Sequence, residues 1–259
     1  MKQERQDIKI TVLLPCYNAE GTIRETLESI KWADEILVVD SFSTDKTLEI
    51  CREYTDRILQ HPYINSAAQK NRAIPQCEYE WVLQVDTDEV LDLGGEKEIR
   101  EALKCQGQDV DAYEFRFKNL FYGKWLRYGG LYPDYHVRLF RRDKGKFQTK
   151  EVHARLIVPG RVKRMETHFI HNDFKGISSY LFKYERYMRY ECGELLKAGR
   201  KFCWIDIVIK PFVVFLDRYF LKAGFRDGLH GFFYAHLVAL YVFLKYVLLW
   251  ETEWKKKTK

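Results

Sequence analysis

The sequence predicts an α/β fold with a mixed, mainly parallel central sheet and a C-terminal helical extension. Three observations lead to this prediction. Short apolar segments alternate with helical patterns through residue 95, polar residues follow several of these segments, and apolar residues from Ile177 onward keep a helical spacing. Alternating strands and helices are typical of parallel sheets that helices cover on both faces.

Length and composition limit the classes of protein that are possible. The 259 residues suffice for one α/β domain and an appendage, since single cores stop growing at roughly 250–300 residues. The six cysteines form no C-x-x-C pair, which predicts reduced thiols in a cytoplasmic protein. The polar N-terminus lacks the apolar region of a signal peptide. A net charge of +6 would suit nucleic acid, acidic lipids or phosphorylated substrates, and does not choose among them.

Strands and helices alternate regularly in the first part of the chain. The predicted strands cover residues 9–14, 35–39, 57–60 and 81–85. A helix is expected after each strand; Asn18 is the expected N-cap of the first, and the last covers residues 96–104. Right-handed crossovers would make all four strands parallel.

The pattern changes beyond these helices. Residues 113–118 alternate strictly between apolar and polar, which predicts a half-exposed strand, and further strands are expected at 137–140 and 152–158. These strands would extend the sheet and form the second side of a cleft.

Polar side chains follow three of the first four predicted strands. Tyr17 and Asn18 follow the first strand, Asp40 the second, and Asp86 and Asp88 the fourth. Ligands of open α/β sheets bind beyond the carboxyl ends of the strands. On extended backbone Asp86 and Asp88 would point the same way, and their oxygens would suit Mg²⁺ or Mn²⁺. The alternative is an acidic turn whose aspartates satisfy backbone donors.

These residues belong to motifs that occur in a fixed order. The motifs are LPCYN (14–18), VDSFSTD (39–45), QKN (69–71) and VDTDE (85–89). In this order they resemble the family 2 inverting glycosyltransferases, whose fold is the GT-A type of nucleotide-diphospho-sugar transferases. The later segments VRLFRR (137–142), EVH (151–153), His171 and GFRDG (224–228) are similar to the bacterial subset that includes lipopolysaccharide core glucosyltransferases.

The resemblance implies a set of donor-binding residues. A nucleotide-sugar would be bound by Pro15, Tyr17, Asn18, Asp40, Ser43, Lys70, Asn71 and Asp86. Within this set, Asp40 would contact uracil or an equivalent base, Asp86 the ribose and Lys70 the diphosphate. A divalent metal, Mg²⁺ or Mn²⁺, would be held by Asp88 and His153, although a lone histidine is more often a structural group.

An inverting transfer also needs a carboxylate that removes the proton of the acceptor hydroxyl. Glu151 and Asp134 are the two candidates. Glu151 is preferred because it lies beside His153 after a polar loop, whereas Asp134 would serve equally well to close a turn. Arg138 would hold an acceptor phosphate, or would simply lie on a solvated strand face.

One position departs from the family pattern close to the predicted donor site. Phe42 stands where a glycine is commoner. Glycine permits backbone dihedrals that phenylalanine avoids. A different backbone path near the nucleotide base would be one consequence of this substitution.

The expected organisation is a catalytic domain at residues 1–200, with a nucleotide-sugar half (1–95) and an acceptor half (96–200), followed by an amphipathic helical extension with a basic tail at 201–259. One amphipathic helix would begin near Pro211, with a polar face formed by Lys210, Asp217, Arg218 and Lys222. Residues 229–250 are borderline for a transmembrane span, which needs about 20 apolar residues. We expect peripheral association with the inner face of the cytoplasmic membrane; the alternative is a helical hairpin packed on the catalytic domain.

The sequence therefore predicts a metal-dependent, inverting transfer of a hexose. The expected donor is a nucleotide-diphospho-sugar, with UDP favoured, and the expected acceptor is a saccharide of a cell-envelope glycolipid such as lipopolysaccharide core. Two alternatives remain: a polyprenyl-phosphate acceptor, and a homologue that binds sugar nucleotides without catalysis. A nucleotidyltransferase would need a glycine-rich phosphate loop where residues 15–18 stand. Nucleic acid is not an expected partner.

Overall fold

The structure is a computed structural model that describes residues 8–105, 109–148, 155–172, 174 and 176–258, apart from the side chain of Lys257. The strands in these residues are β1 (Ile10–Cys16), β2 (Glu35–Asp40), β3 (Ile58–Gln60), β4 (Trp81–Gln84), β5 (Glu89–Leu91), β6 (Ala112–Phe121), β7 (Lys124–Trp125), β8 (Tyr135–Arg141), β9 (Lys146–Phe147), β10 (Leu156–Ile157) and β11 (Val162–His171). The helices are α1 (Ile23–Ile30), α2 (Thr47–Cys51), α3 (Ser66–Ala73), α4 (Gly95–Lys104), α5 (Ile177–Lys197), α6 (Trp204–Leu216) and α7 (Leu229–Lys257).

The main sheet has the order β3-β2-β1-β4-β8-β6-β11-β5, and β7 pairs with β6 beside this path. The first four strands of this order are parallel to one another. β8 joins β4 and β6 in antiparallel pairs, and β11 joins β5 in another. The predicted α/β class and the mixed sheet are confirmed. The change from parallel to antiparallel pairing falls where strands and helices cease to alternate along the sequence.

Strand β4 lies at the centre of the described sheet, between β1 and β8, and all four of its residues are buried. This burial explains its continuous apolar sequence, because such a strand is covered on both faces. Helix α1 covers the sheet with Ile23, Leu27 and Ile30, which are all fully buried. The four predicted parallel strands are thus confirmed, each within a few residues of its expected bounds.

Two strands next to the acidic motif were not predicted. β5 begins at Glu89, directly after a turn in which the Glu89 main-chain N–H donates to the Asp86 carbonyl at 3.0 Å. It pairs with β11 in a register that places His171 opposite Glu89. β5 has only three residues, so no periodicity could reveal it. The turn also shows that the expectation of extended backbone from Asp86 to Asp88 is wrong.

Asn18 does not cap helix α1, which begins at Ile23 after Thr22. Asn18 instead has a positive φ of 45°, and its side-chain oxygen accepts a hydrogen bond from the Thr44 main chain at 2.9 Å. Its own N–H donates to Ser43 Oγ at 2.9 Å. The predicted cap is therefore a link between the loops that follow β1 and β2.

The described residues fall into two compact units. Those of Met1–Phe117 and Asp134–His171 form the first, and those of Lys118–Pro133 and Asn172–Lys259 form the second. The predicted boundary at residue 200, between a catalytic domain and a helical extension, is not tested by this division into two units and stays a prediction.

In the second unit, α7 packs along both α5 and α6. The segment 118–133 is attached to the turn between α6 and α7 through the buried Asp227, whose side chain accepts from the Tyr128 main chain at 2.9 Å and whose carbonyl accepts from Lys124 Nζ at 2.7 Å. Gly224 is required in the same turn, because a Cβ there would lie 2.6 Å from the Arg218 carbonyl oxygen. The GFRDG segment (224–228) thus has a structural role in this unit, because it connects residues 118–133 to the C-terminal helices.

Two features of the C-terminal helices bear on the membrane prediction. Helix α6 begins at Trp204 and passes through Pro211, so the expected helix start at Pro211 is wrong. Among the described residues, one helix (Leu229–Lys256) meets the length and composition required to cross a bilayer. These criteria are also met by core helices of proteins without a membrane span.

Phe42 has a positive φ of 60°, in the left-handed region that favours glycine, and half of its surface is exposed. We expect Phe42→Gly to change the free energy of unfolding by less than about 1 kcal/mol, since relief of the left-handed conformation is offset by greater freedom of the unfolded chain. Phe42→Val should lose about 1–2 kcal/mol, because β-branched residues fit this region worst. Urea unfolding would measure both, and equal stability of the two variants would contradict the explanation.

Candidate functional site

The Asp86 carboxylate lies just beyond the carboxyl end of β4 and contacts three other side chains. Its Oδ1 accepts from Gln84 Nε2 at 2.9 Å and lies 2.8 Å from Lys70 Nζ. Its Oδ2 lies 3.4 Å from Arg138 Nη2. Helix α3 supplies the lysine and β8 supplies the arginine, so three elements converge on this one group.

Arg138 is the most extensively paired cation of the site. Its Nη2 also contacts Glu89 Oε1, and its Nη1 donates to Gln84 Oε1 at 2.7 Å. Because β8 runs between β4 and β6, the Arg138 side chain is only 12% exposed. The predicted solvated face is therefore wrong for Arg138, which joins two carboxylates instead.

The two cations set the ionisation of Asp86. Burial by itself would raise the pKa of this carboxyl group, but the charges of Lys70 and Arg138 outweigh burial and hold its pKa well below the ordinary range. A lowered folded-state pKa stabilises the fold above the unfolded-state value, and this contribution is lost only as the pH falls through the folded-state value. Asp86 is thus a permanent anion at neutral pH.

Asp88 lies in a different environment from Asp86, although one residue separates them. The turn after β4 directs Asp88 toward strand β11, where Nε2 of His171 is 3.8 Å from Asp88 Oδ1. Both side chains are about a quarter exposed. Asp86 thus contacts Lys70 and Arg138, whereas Asp88 lies beside His171. That the two aspartates act on one donor stays a prediction.

The chemistry of Asp88 and His171 fits two ligands of a divalent cation. Ligands bound at about 2.1 Å to one ion lie at most about 4.2 Å apart, so the observed 3.8 Å is compatible with shared coordination. The residues that the structure describes contain no group of three or more Asp, Glu, His or Cys arranged to hold an ion. A bound diphosphate would have to complete such a shell.

Asp134 is brought to the same region through aromatic contacts. Its Oδ1 lies 3.1 Å from Nε2 of His136, and the His136 ring meets the edge of Phe117 with centroids 4.9 Å apart. The His171 ring meets the same phenylalanine at 6.2 Å, and the Arg138 guanidinium lies 5.1 Å from its centroid. Phe117 therefore connects the candidate base to both halves of the acidic site.

The predicted nucleotide residues at the ends of β1 and β2 form a linked pair of loops. Asp40 is buried, and its carboxylate accepts from the Ser43 hydroxyl and main chain and from Gln60 Nε2 at 3.0 Å. Tyr17 is largely exposed, and Pro15 is half-buried. The structure thus shows how Asp40 shapes the loop, while its contact with a nucleotide base stays a prediction.

The remaining predicted residues are less closely tied to this site. Both polar atoms of the Asn71 amide bond the Phe147 main chain, each at 2.8 Å, which holds β9 against α3. This contact gives Asn71 a structural role, and its predicted nucleotide contact stays a prediction. Glu151 and His153 lie outside the described residues.

Sequence reasoning missed four residues that lie beside the predicted carboxylates: Gln84, Glu89, His136 and His171. Gln84 carried a signal, since an amide at the end of an otherwise apolar buried strand needs a partner. The His171 contact depends on the pairing of β5 with β11. No local pattern of the sequence indicates that register.

Comparison with known proteins is consistent with this geometry. The family model described as glycosyl transferase family 2 matches residues 11–158. The lipopolysaccharide core biosynthesis glycosyltransferase LpsC of Rhizobium meliloti is 26% identical over 247 residues, which cover 92% of this chain and 90% of LpsC. An uncharacterized glycosyltransferase of Rickettsia typhi is 24% identical, covering 96% of this chain and 89% of that protein.

Among solved structures, the Staphylococcus aureus protein TarS (residues 1–349) in complex with UDP-GlcNAc is similar with a TM-score of 0.49 and 19% identity. The similarity covers 88% of this chain and 79% of that one. A likeness this distant does not bear on the substrate.

Proposed function

Since the chain belongs to glycosyl transferase family 2 and has its GT-A fold, we propose that it transfers a hexose from a UDP-sugar to a saccharide of a cell-envelope glycolipid such as lipopolysaccharide core, with inversion at the anomeric carbon. One observation carries the proposal. Asp86 and Asp88, at the end of β4, are divided between a buried lysine–arginine pair and a histidine. This arrangement suits a sugar donor whose diphosphate is bound both by a cationic side chain and by a metal ion.

Lys70 is the group best suited to meet the donor diphosphate. It is buried, and its ammonium is 2.8 Å from Asp86. A lysine held at a fixed position in a buried site stabilises negative charge strongly, because little solvent screens it. Pro15, Tyr17, Asn18, Asp40 and Ser43 would surround the nucleoside.

Asp88 and His171 would hold Mg²⁺ or Mn²⁺, in place of the pairing with His153 that the sequence suggested. When bound, such an ion would neutralise the charge that grows on the diphosphate as the bond from the anomeric carbon to oxygen breaks. The chain itself supplies the ligand geometry and the nearby Lys70. The leaving diphosphate takes the electron pair of the broken bond.

Asp134 is the better-supported base, because its contact with His136 and Phe117 joins it to the same site. It would accept the proton of the acceptor hydroxyl while the oxygen of that hydroxyl forms its bond to the anomeric carbon. The oxygen attacks opposite the leaving diphosphate, which inverts the configuration. Glu151 remains the alternative base, and matched substitutions separate the two.

The acceptor assignment implies a place of action at the inner face of the cytoplasmic membrane, with peripheral attachment through residues 201–259. A polyprenyl-phosphate acceptor would be recognised by product analysis, since sugar would then appear on lipid phosphate in the absence of any saccharide. A binding homologue without catalysis would bind the donor and produce neither transfer nor hydrolysis with any acceptor.

A thermal-shift screen of UDP-sugars with and without Mn²⁺ tests the donor and metal assignments together. At a concentration of 100 times Kd a ligand adds about 2.7 kcal/mol to the apparent stability. We expect Asp88→Asn to lose the Mn²⁺-dependent part of the shift, because the variant lacks one ionic ligand.

The matched control is Asp56→Asn, an exposed aspartate of the loop before β3, which should behave as the wild type. A Mn²⁺-dependent shift that survives in Asp88→Asn would remove Asp88 from the site. The absence of a shift with every UDP-sugar would overturn the proposed donor.

A further inference from the structure

The two charged residues of helix α6 are paired with each other and with neighbouring groups. Asp206 is 3% exposed and forms ion pairs with Arg200 at 3.0 Å and with Lys210 at 2.8 Å. Lys210 Nζ also donates to the Tyr246 hydroxyl of α7 at 2.6 Å. The sequence predicted Lys210 on the polar face of an amphipathic helix, and the charged groups of this face pair with one another and with α7.

The outward side of the same helix is entirely apolar. Six side chains, each at least 45% exposed, cover it: Trp204, Ile205, Val208, Ile209, Phe212 and Val213. Their spacing in adjacent pairs four residues apart places them on a single helical face. The exposed apolar surface continues after the helix in Phe220, Leu221 and Phe225. A continuous surface of this kind is rare on a chain that is surrounded only by water.

Positive charge lies at both ends of this apolar face. Arg200 and Lys201 precede α6, and Lys222 and Arg226 follow it. Residues 200–226 contain six basic and two acidic residues, and both acids are already ion-paired, Asp206 as described and Asp217 with Lys222 at 2.7 Å. Arg200, Lys210 and Lys222 are the cations of these pairs, so Lys201, Arg218 and Arg226 supply the positive charge that would meet an anionic partner.

We propose that the outward face of α6 inserts into the surface of an anionic lipid bilayer, with the helix lying in the plane of the interface. The 13 residues of α6 span about 20 Å. A π-helical segment, Asp217–Leu221, continues the helix but begins with two charged residues, so the apolar stretch is too short to cross a hydrocarbon core of about 30 Å. Apolar side chains would enter the acyl region while the flanking cations meet lipid phosphates. The inference rests on the proposed function only for the choice of membrane, because the proposed acceptor is a lipid-borne saccharide. It names α6 as the element that attaches the enzyme to that membrane.

Helix α7 stays on the protein side in this arrangement. Lys245, near its middle, forms an ion pair with Glu191 of α5 at 2.8 Å, and Tyr246 holds Lys210 of α6. A spanning α7 would have to abandon these contacts or draw charged groups of α5 into hydrocarbon, which is costly.

A second copy of this chain is a less suitable partner for α6. Two such faces in contact would bring their basic flanks together, and like charges repel. Anionic lipid offers the opposite charge over the same area. Charge complementarity therefore selects lipid as the occupant.

Vesicle flotation of the full chain tests the proposal. The wild type should float with vesicles of phosphatidylcholine and phosphatidylglycerol, and more weakly with phosphatidylcholine alone. Ile209→Glu combined with Phe212→Glu should lower the partition coefficient by at least about 10-fold, since it removes two large apolar groups and adds two charges. The control Leu93→Glu, at a 99% exposed position of the first unit, should float as the wild type.

Several results would overturn the proposal. The first is equal flotation of the double variant and the wild type, and the second is a wild type that binds neither kind of vesicle. The third is a bound chain that resists alkaline extraction, as a membrane-spanning protein does. The fourth is a wild type that forms a dimer and binds no vesicles, together with a double variant that is monomeric. Ile209→Ser with Phe212→Ser replaces the glutamates if that variant does not fold. The donor thermal shift on the same proteins reports the enzymatic proposal separately, because it needs no membrane.

Discussion

Replacing Asp134 with asparagine should lower kcat by about 10²- to 10⁴-fold, the usual contribution of a general base. The amide keeps the size of the carboxylate and can still accept a hydrogen bond from His136, which lies 3.1 Å away. It cannot take the proton of the acceptor hydroxyl. Donor affinity, measured by the thermal shift with a UDP-sugar and Mn²⁺, should remain near that of the wild type.

Glu151→Gln is the matched comparison for this prediction, because the two acids compete for the same role. Only one of the two variants should lose most of kcat, while the other retains KM and kcat within a few fold. If Glu151→Gln is the inactive variant and Asp134→Asn remains active, Glu151 is the base and Asp134 is not. Asp56→Asn controls for the general loss of a negative charge.

Replacing Arg138 with leucine should cost about 3–5 kcal/mol of folding free energy, which is the typical effect of removing one partner from a buried ion pair. Glu89 is 2% exposed, and Arg138 is the cation that contacts it among the described residues. The variant leaves this carboxylate buried without compensation. Urea unfolding, with the slope checked for two-state behaviour, measures the loss.

A double-mutant cycle identifies the cause of this loss. Arg138→Leu with Glu89→Leu should recover much of the stability, because no isolated charge remains. Arg189→Leu is the control, since Arg189 pairs with Glu185 on an exposed helix face and such pairs contribute little. A loss below about 1 kcal/mol in Arg138→Leu would show that the pair is not an important part of the fold.

The sequence predicted those parts of the fold that depend on local pattern. β1, β2 and β4 are apolar throughout because both of their faces are covered, and the burial of Ile23, Leu27 and Ile30 follows from helical spacing. Strands β5 and β11 were missed because pairing between residues about 80 positions apart, as in Glu89 with His171, is decided by tertiary packing.

The sequence predicted the carboxylates of the candidate site and Lys70, but not the contacts that the other partners make. Arg138 and His171 lie in segments that carry the resemblance, yet their contacts with Asp86 and Asp88 depend on strand neighbours that are known only in the folded chain. The start of α6 was mispredicted, because Pro211 lies inside the helix and not at its first turn. The partners of Lys210, which are Asp206 and Tyr246, are also known only in the folded chain.

The double pairing of Asp86 has a consequence for the catalytic cycle. One carboxylate has two counterions, Lys70 and Arg138, from separate elements. If Lys70 turns toward an incoming diphosphate, Asp86 keeps its contact with Arg138, and this one cation then faces both Asp86 and Glu89. Departure of the nucleotide would return Lys70 to Asp86, so the site can reset without any change in the Arg138 contacts.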